Sequence, residues 1–167
     1  MEELYKKTLD RLKAELKKQL PEIEANGDWL WHHPEAGFKE TETQKYCLEV
    51  LKNHGFEACT WPDVTGFTCT YDTGRPGPCV MIMGEMDSLI CYSHPDCNPE
   101  TGAAHACGHS IQVATAMGAF ITLTESGVLE NFGGKVMLAG VPAEECLEIE
   151  WRTREIQKGR LHYLCGK

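Results

Sequence analysis

The sequence lacks any apolar run long enough to cross a bilayer. The longest mostly apolar stretch, residues 111–123, is interrupted by Gln112 and two threonines. It falls short of the roughly 20 apolar residues that a spanning helix needs. The N-terminal segment is charged throughout and has no apolar core of a secretory signal. We therefore expect a cytoplasmic protein without a membrane partner.

Positive charge is scarce. The 16 lysines and arginines are outnumbered by 25 aspartates and glutamates, which gives a formal net charge of −9. A polyanion would be repelled over most of such a surface, so we exclude DNA and RNA as partners.

Closely spaced cysteine pairs are also missing, although the chain has nine cysteines. An odd count without any CxxC pair is not typical of a disulfide-stapled domain. We interpret most of these cysteines as reduced, small buried residues. The absence of close pairs also makes a redox sensor the weakest of the functions considered below.

Apolar residues at spacings of three and four predict three helices. The first covers 5–23, where Pro21 either kinks the helix or opens a second one. The second covers 40–53, with Gly55 just past its end as a C-cap. The third covers 110–124, with Ser110 as its N-cap. A weaker pattern predicts a further helix over 148–158.

Extended segments alternate with these helices. Residues 56–61 and 67–71 alternate well enough to be strands. Continuous apolar runs at 79–83 and 135–141 predict two fully buried strands. This order favours an α/β layered sheet with helices on its faces. Apolar residues make up 42% of the chain, enough for the core of one domain over 1–167.

Acidic residues follow both apolar strands. Glu85 and Asp87 come after the first, and Glu144 and Glu145 after the second. A His-Ala-Cys-Gly-His run at 105–109 directly precedes the third helix. In open α/β sheets ligands bind at the carboxyl ends of strands, so all three groups could meet at one edge.

The 105–109 run contains thiol and imidazole groups, which are favoured zinc ligands. If the run is extended, His105, Cys107 and His109 share one side. Taken alone, so short a pattern favours a small buried cysteine beside structural histidines. Cys-x-His also leaves open a nucleophilic Cys107, although the adjacent glutamates would then have no role.

The acidic residues have two interpretations as well. Adjacent glutamates are common on solvated surfaces. At the end of an apolar strand, one can bind a metal while its neighbour takes a proton from water. Glu85 and Asp87 are either loop acids or groups that hold a ligating histidine. We interpret residues 32–35 as a turn that ends a helix, and His54, His94 and His162 as structural or surface residues.

Four stretches occur in the order and spacing of a known family. They are WLWHHPEAGFKETET (29–43), VMIMGEMDSL (80–89), GAAHACGHSIQVATAMGA (102–119) and GKVMLAGVPAEE (134–145). Together they resemble the M20 family of metallopeptidases and amidohydrolases, in its aminoacylase, hippurate hydrolase and aminobenzoyl-glutamate hydrolase-like branch. The resemblance implies the N-terminal part of a three-layer α-β-α zinc-peptidase-like catalytic domain, truncated and without the lid and dimerisation domain. It also implies that the full-length form is a homodimer.

The resemblance further implies the roles of five residues. Cys107, His109 and Glu145 correspond to metal ligands, Glu144 to the general base, and Asp87 to the acid that orients the site. Zinc is the metal expected first, with manganese, cobalt and nickel as alternatives, and up to two ions in a full-length protein. The implied reaction is hydrolysis of an N-acyl amino acid, a dipeptide or a similar small amide by metal-activated water.

The sequence departs from the pattern of that branch at three points. Ser110 and Glu85 stand where the branch has aspartates. Two further histidine ligands are expected downstream, and the sequence ends before them. The resemblance therefore leaves open a catalytically incomplete fragment, or an inactive homologue, that binds metal weakly. We expect hydrolysis by this chain alone to be slight or absent.

Overall fold

The structure, a computed structural model, describes residues 2–146. The predicted helix over 148–158 and His162 lie outside these residues. The longer elements, in chain order, are α1 (Glu2–His32), α2 (Thr41–Asn53), β1 (Ala58–Thr60), β2 (Phe67–Asp72), β3 (Cys79–Glu85), β4 (Leu89–Ile90), β5 (Ala103–Ala104), α3 (His109–Glu125) and β6 (Lys135–Val141). Short 3-10 helices cover Val128–Asn131 and Glu144–Cys146.

Four strands form the main sheet in the order β1-β2-β6-β3. Strand β6 pairs in parallel with β3 and antiparallel with β2. The carboxyl ends of β3 and β6 therefore lie side by side, with Glu85 opposite Val141. A small separate hairpin joins β4 to β5. The mixture of helices and sheet confirms the predicted α/β class.

The helices and the main sheet share one apolar core. Phe67 and Leu138 of the sheet belong to the same buried cluster as Leu30, Leu51 and Phe120 of the three helices. Helix α3 packs across β3 and β6, and α1 packs on α3. The contact between α3 and β3 is close because of a glycine. A Cβ on Gly84 would lie 2.8 Å from the Cα of Val113.

Most helix boundaries agree with the sequence. Helix α1 continues through Pro21 as one helix, so its predicted end at residue 23 is wrong. It ends at His32, where the turn was predicted. Gly55 follows α2 with a φ of 79°, in the left-handed region that favours glycine. None of the helices within residues 2–146 is both long and apolar enough to cross a membrane.

The predicted N-cap of α3 is wrong. Gly108 precedes the helix with a φ of 96°, and His109 is its first residue. Ser110 therefore lies inside the first turn, where it is fully buried. The start of the helix is moved towards the N-terminus by one residue, which makes His109 part of a rigid element.

The two apolar strands differ in burial. Strand β6 is buried from Val136 onward, as predicted. Strand β3 is correctly predicted as a strand but wrongly as a buried one, because it lies at the edge of the four-stranded sheet. Val80 and Met83 remain 57% and 50% exposed. Continuous apolar sequence does not distinguish a central strand from an edge strand whose outer neighbour is absent.

Candidate metal centre

Three elements end or begin at one edge of the sheet and carry the candidate residues. Glu85 is the last residue of β3, and Asp87 follows it. Glu144 and Glu145 lie in the short helix just after β6. His109 opens α3, which packs across both strands. The structure thus brings together residues of the three groups that we expected to meet at one edge of the sheet.

Sulfur, nitrogen and oxygen donors converge at this edge. Ligand atoms of Cys107, His109 and Glu145 lie within 4.8 Å of one another, and so do those of Glu85, His109 and Glu144. The donors themselves show which cation would fit. Thiolate, imidazole and carboxylate are the groups that bind zinc and related divalent metals.

The run at 105–109 is not a strand, because it bends at Cys107 and enters α3 at His109. The condition under which its three polar residues would share one side is therefore not met. Cys107 lies exposed in a bend between β5 and α3. His105 is buried instead, and burial lowers its pKa to about 4, so its ring is neutral. Within the described residues, His105 is a member of neither donor group.

The two ring nitrogens of His109 face different surroundings. Nδ1 lies 3.1 Å from Oδ1 of Asp87. Nε2 lies 3.2 Å from Oε2 of Glu85 and 3.9 Å from carboxylate oxygens of both Glu144 and Glu145. A neutral imidazole has one N–H, and donating it from Nδ1 to Asp87 leaves the lone pair of Nε2 directed at the other donors.

Asp87 connects the two sides of the candidate centre. Its side chain is fully buried. One carboxylate oxygen faces His109, and the other accepts the backbone N–H of Glu145 at 2.8 Å. This arrangement fixes both the orientation of the imidazole and the position of the glutamate backbone, as expected for a residue that supports ligands from behind.

The donor group has the electrostatics of a cation site. Oε1 of Glu145 is buried and has no hydrogen-bond partner within residues 2–146. In the same part of the chain, neither Glu144 nor Glu145 pairs with a lysine or arginine. A hydrogen bond with Glu145 raises the pKa of the Cys107 thiol, and burial and the nearby carboxylates add to this effect. A divalent cation would compensate this excess of negative charge.

Two polar residues near the centre were missed in the sequence. The side chain of Gln112, one turn after His109, donates to Glu85 at 3.0 Å and accepts its backbone N–H at 2.7 Å. Glu35 accepts the backbone N–H of Thr43 at 2.8 Å and so caps the start of α2. The spacing of Gln112 from His109 was a usable signal. For Glu35 there was no signal beyond its position in a turn.

Known proteins resemble the chain over most of its length. No protein-family model matches it. It is 29% identical to an N-acetyl-L-cysteine deacetylase of Bacillus subtilis over 87% of this chain and 34% of that protein. It is 30% identical to thermostable carboxypeptidase 1 of Saccharolobus solfataricus over 80% of this chain and 36% of that protein. A solved dinuclear metal-binding peptidase of the M20 family from Bacillus subtilis matches with a TM-score of 0.71 and 25% identity, over 91% of this chain and 41% of that one. The chain resembles the M20 family in sequence as well as in fold.

This similarity confirms the resemblance found in the four sequence stretches. It also confirms the fold class, because the match to the solved M20 peptidase covers most of the described sheet and helices. The chain spans about a third of the length of the curated relatives that it matches. The activity of a whole M20 protein is therefore a proposal for this chain.

Proposed function

We propose that this chain supplies the metal-binding and general-base residues for hydrolysis of a small amide, such as an N-acyl amino acid or a dipeptide. The convergence of Cys107, His109 and Glu145 at the carboxyl ends of two parallel strands carries the proposal. The names of the relatives support the substrate class, since they include a deacetylase of an N-acetyl amino acid and a carboxypeptidase.

Cys107, His109 and Glu145 would hold the metal. Zinc fits this mixed set of donors best, and manganese, cobalt or nickel are alternatives. The second group, which shares His109 and adds Glu85 and Glu144, supports a centre of up to two ions in a full-length protein. When bound, such a cation lowers the pKa of a water molecule from about 15.7 to about 7.

Glu144 is the proposed general base. Its side chain is 41% exposed, against 18% for Glu145, so a water molecule and a substrate can reach it. Its carboxylate takes a proton from the attacking water and passes that proton to the leaving amine. General acid–base catalysis of this kind typically contributes about 10²–10⁴-fold. Asp87 holds His109 and the backbone of Glu145 in place throughout.

A nucleophilic Cys107 is less well supported. A reactive thiol needs positive surroundings that lower its pKa. Cys107 instead lies among carboxylates that raise it. The scheme would also leave the Glu144 and Glu145 pair without a role. Inactivation by a thiol-alkylating reagent, combined with resistance to a chelator, would favour it.

Metal content is the first measurement. We expect the purified chain to contain metal by elemental analysis, and the variants Cys107→Ala and Glu145→Ala to lose it. Cys59→Ala and Glu49→Ala are matched controls, because Cys59 is exposed on β1 and Glu49 lies in α2. A parent chain without metal, even after incubation with zinc, would contradict the proposed site.

Removal of metal tests the reaction itself. Any hydrolysis of an N-acyl amino acid should stop on chelation and return on addition of zinc. Glu144→Gln should keep the metal but lose about 10²–10⁴-fold in activity. Because the family resemblance places two further ligands outside this sequence, this chain alone should show slight activity at most. A Glu144→Gln variant as active as its parent would exclude Glu144 as the base.

A further inference from the structure

Two buried carboxylates hold the backbone that carries the glutamate pair. Oε1 of Glu40 accepts the N–H of Ala143 at 2.7 Å. Oδ2 of Asp87 accepts the N–H of Glu145 at 2.8 Å. Both carboxylates are fully buried. The residues at 142–146, which we name the 142–146 turn, are thus fixed on each side of Glu144.

Glu40 is itself held in one orientation. It directly precedes α2, and its second carboxylate oxygen accepts a hydrogen bond from the hydroxyl of Thr65. Burial raises the pKa of Glu40, while the hydrogen bonds from Thr65 and Ala143 favour the charged form. A buried acid without these donors would be costly, so the contacts explain why a glutamate is tolerated here.

Close packing shows that the 142–146 turn has little freedom. A Cβ on Gly37 would lie 2.4 Å from Sγ of Cys146 and 2.8 Å from Cβ of Ala143. Ala143 has a φ of 59°, which residues other than glycine rarely adopt. Such a conformation persists only where the surroundings determine it. The hydrogen bond from Ala143 to Glu40 is the polar part of those surroundings.

We propose that Glu40 is a positioning residue for the metal centre: its carboxylate fixes the 142–146 turn so that Glu144 and Glu145 face His109. The inference rests on the proposed function, because the turn matters only if Glu145 binds metal. Within the described residues, the carboxylate of Glu40 bonds to Thr65 and to the backbone of Ala143, and to none of the candidate donors. Its effect passes through the backbone of Ala143, whereas Asp87 acts from the opposite side on Glu145.

Cobalt binding to the full chain tests the role. We expect Glu40→Ala to weaken Co²⁺ binding about 10–100-fold, the usual cost of losing a group that orients a ligand. The Glu145→Ala background keeps Cys107 and His109, and its residual Co²⁺ binding is measured at higher Co²⁺ concentrations. There the same change should cost much less, because the ligand that Glu40 positions is already absent. Glu40→Gln keeps an oxygen for the N–H of Ala143 and should restore most of the affinity. Equal losses in both backgrounds would overturn the proposal.

Spectra and a core variant separate positioning from loss of stability. The thiolate charge-transfer band of Cys107 with Co²⁺ should persist in Glu40→Ala, because Cys107 lies outside the 142–146 turn. Leu51→Ala removes a buried side chain from the other end of α2 and should lower the melting temperature without changing Co²⁺ affinity. A loss of affinity in Leu51→Ala equal to that in Glu40→Ala would count against a specific role.

Hydrogen exchange tests the contact without any metal. In the metal-free chain, Glu40→Ala should speed exchange at the amide of Ala143 at least about 10-fold, since its buried N–H loses its acceptor. The amide of Glu145 should change less, because Asp87 still accepts its N–H. Unchanged exchange at Ala143 would overturn the proposal even if the chain binds metal. Faster exchange in a chain that fails to bind Co²⁺ would leave Glu40 as the group that holds the turn and would contradict the proposed function alone.

Discussion

A histidine lies among carboxylates at each end of α3, with different results. At the carboxyl end, His54 lies between Glu125, 2.6 Å from its Nδ1, and Glu22, 3.0 Å from its Nε2. At the amino end, Nδ1 of His109 faces Asp87 at 3.1 Å. Its Nε2 faces three carboxylates, two of them 3.9 Å away. We call the His54 cluster closed, because one carboxylate lies at each ring nitrogen. We call the His109 cluster open, because several carboxylates lie around a single nitrogen.

The difference shows what separates a structural cluster from a candidate site. Burial favours neutral His54, but hydrogen bonds and the charges of Glu125 and Glu22 outweigh it and raise its pKa. An imidazolium between two carboxylates needs no further ion. Around His109, a thiol is added to the carboxylates, and Oε1 of Glu145 has no hydrogen-bond partner among residues 2–146. We propose that a cation completes that cluster.

The largest expected effect is the loss of metal on removing His109. Because His109 belongs to both donor groups, His109→Ala should weaken Zn²⁺ binding more than about 100-fold, beyond the usual cost of losing an orienting group. Competition with a fluorescent chelator measures this. His54→Ala is the matched control and should bind Zn²⁺ like the parent. A similar loss in both variants would mean that the comparison between the two clusters is wrong.

Much of the fold and the position of the site could be predicted from the sequence because these depend on local patterns. Helical spacing placed all three long helices, and the continuous apolar run placed β6. The acidic residues after β3 and β6 located the edge at which the candidate donors meet. The roles of Cys107, His109 and Glu145 came from family resemblance, and no pattern of spacing alone selected them.

The remaining features depend on contacts between distant residues. The exposure of β3 depends on its place in the sheet, which its own apolar sequence does not encode. Glu40 was part of a predicted helix, and its contact with Ala143 joins residues 103 positions apart. His54 was assigned a structural role without a partner, and the fold supplies two. Such pairings follow from topology and not from local periodicity.

A smaller effect is expected when the group behind His109 is changed. Asp87→Ala removes the acceptor for both His109 and the N–H of Glu145, and should weaken Zn²⁺ binding about 10–100-fold. Asp87→Asn keeps one oxygen acceptor and should lose less. The measurement is the same competition titration. Parent-like affinity in Asp87→Ala would show that the open cluster needs no support from Asp87.

The smallest effect concerns the closed cluster and depends on pH. Because the folded-state pKa of His54 is raised, its ion pairs stabilise the fold fully below the unfolded value of about 6.5. This contribution is lost as the pH rises through the raised pKa. His54→Gln should therefore be less stable than the parent by about 1 kcal/mol near pH 5.5, and by less near pH 9. Urea unfolding at both pH values measures this difference in stability.

Lys45→Gln, which breaks the exposed pair with Glu42, is the control and should show no such dependence on pH. A gap of the same size at both values would mean that His54 contributes packing and no charge, and the contrast with His109 would then rest on geometry alone.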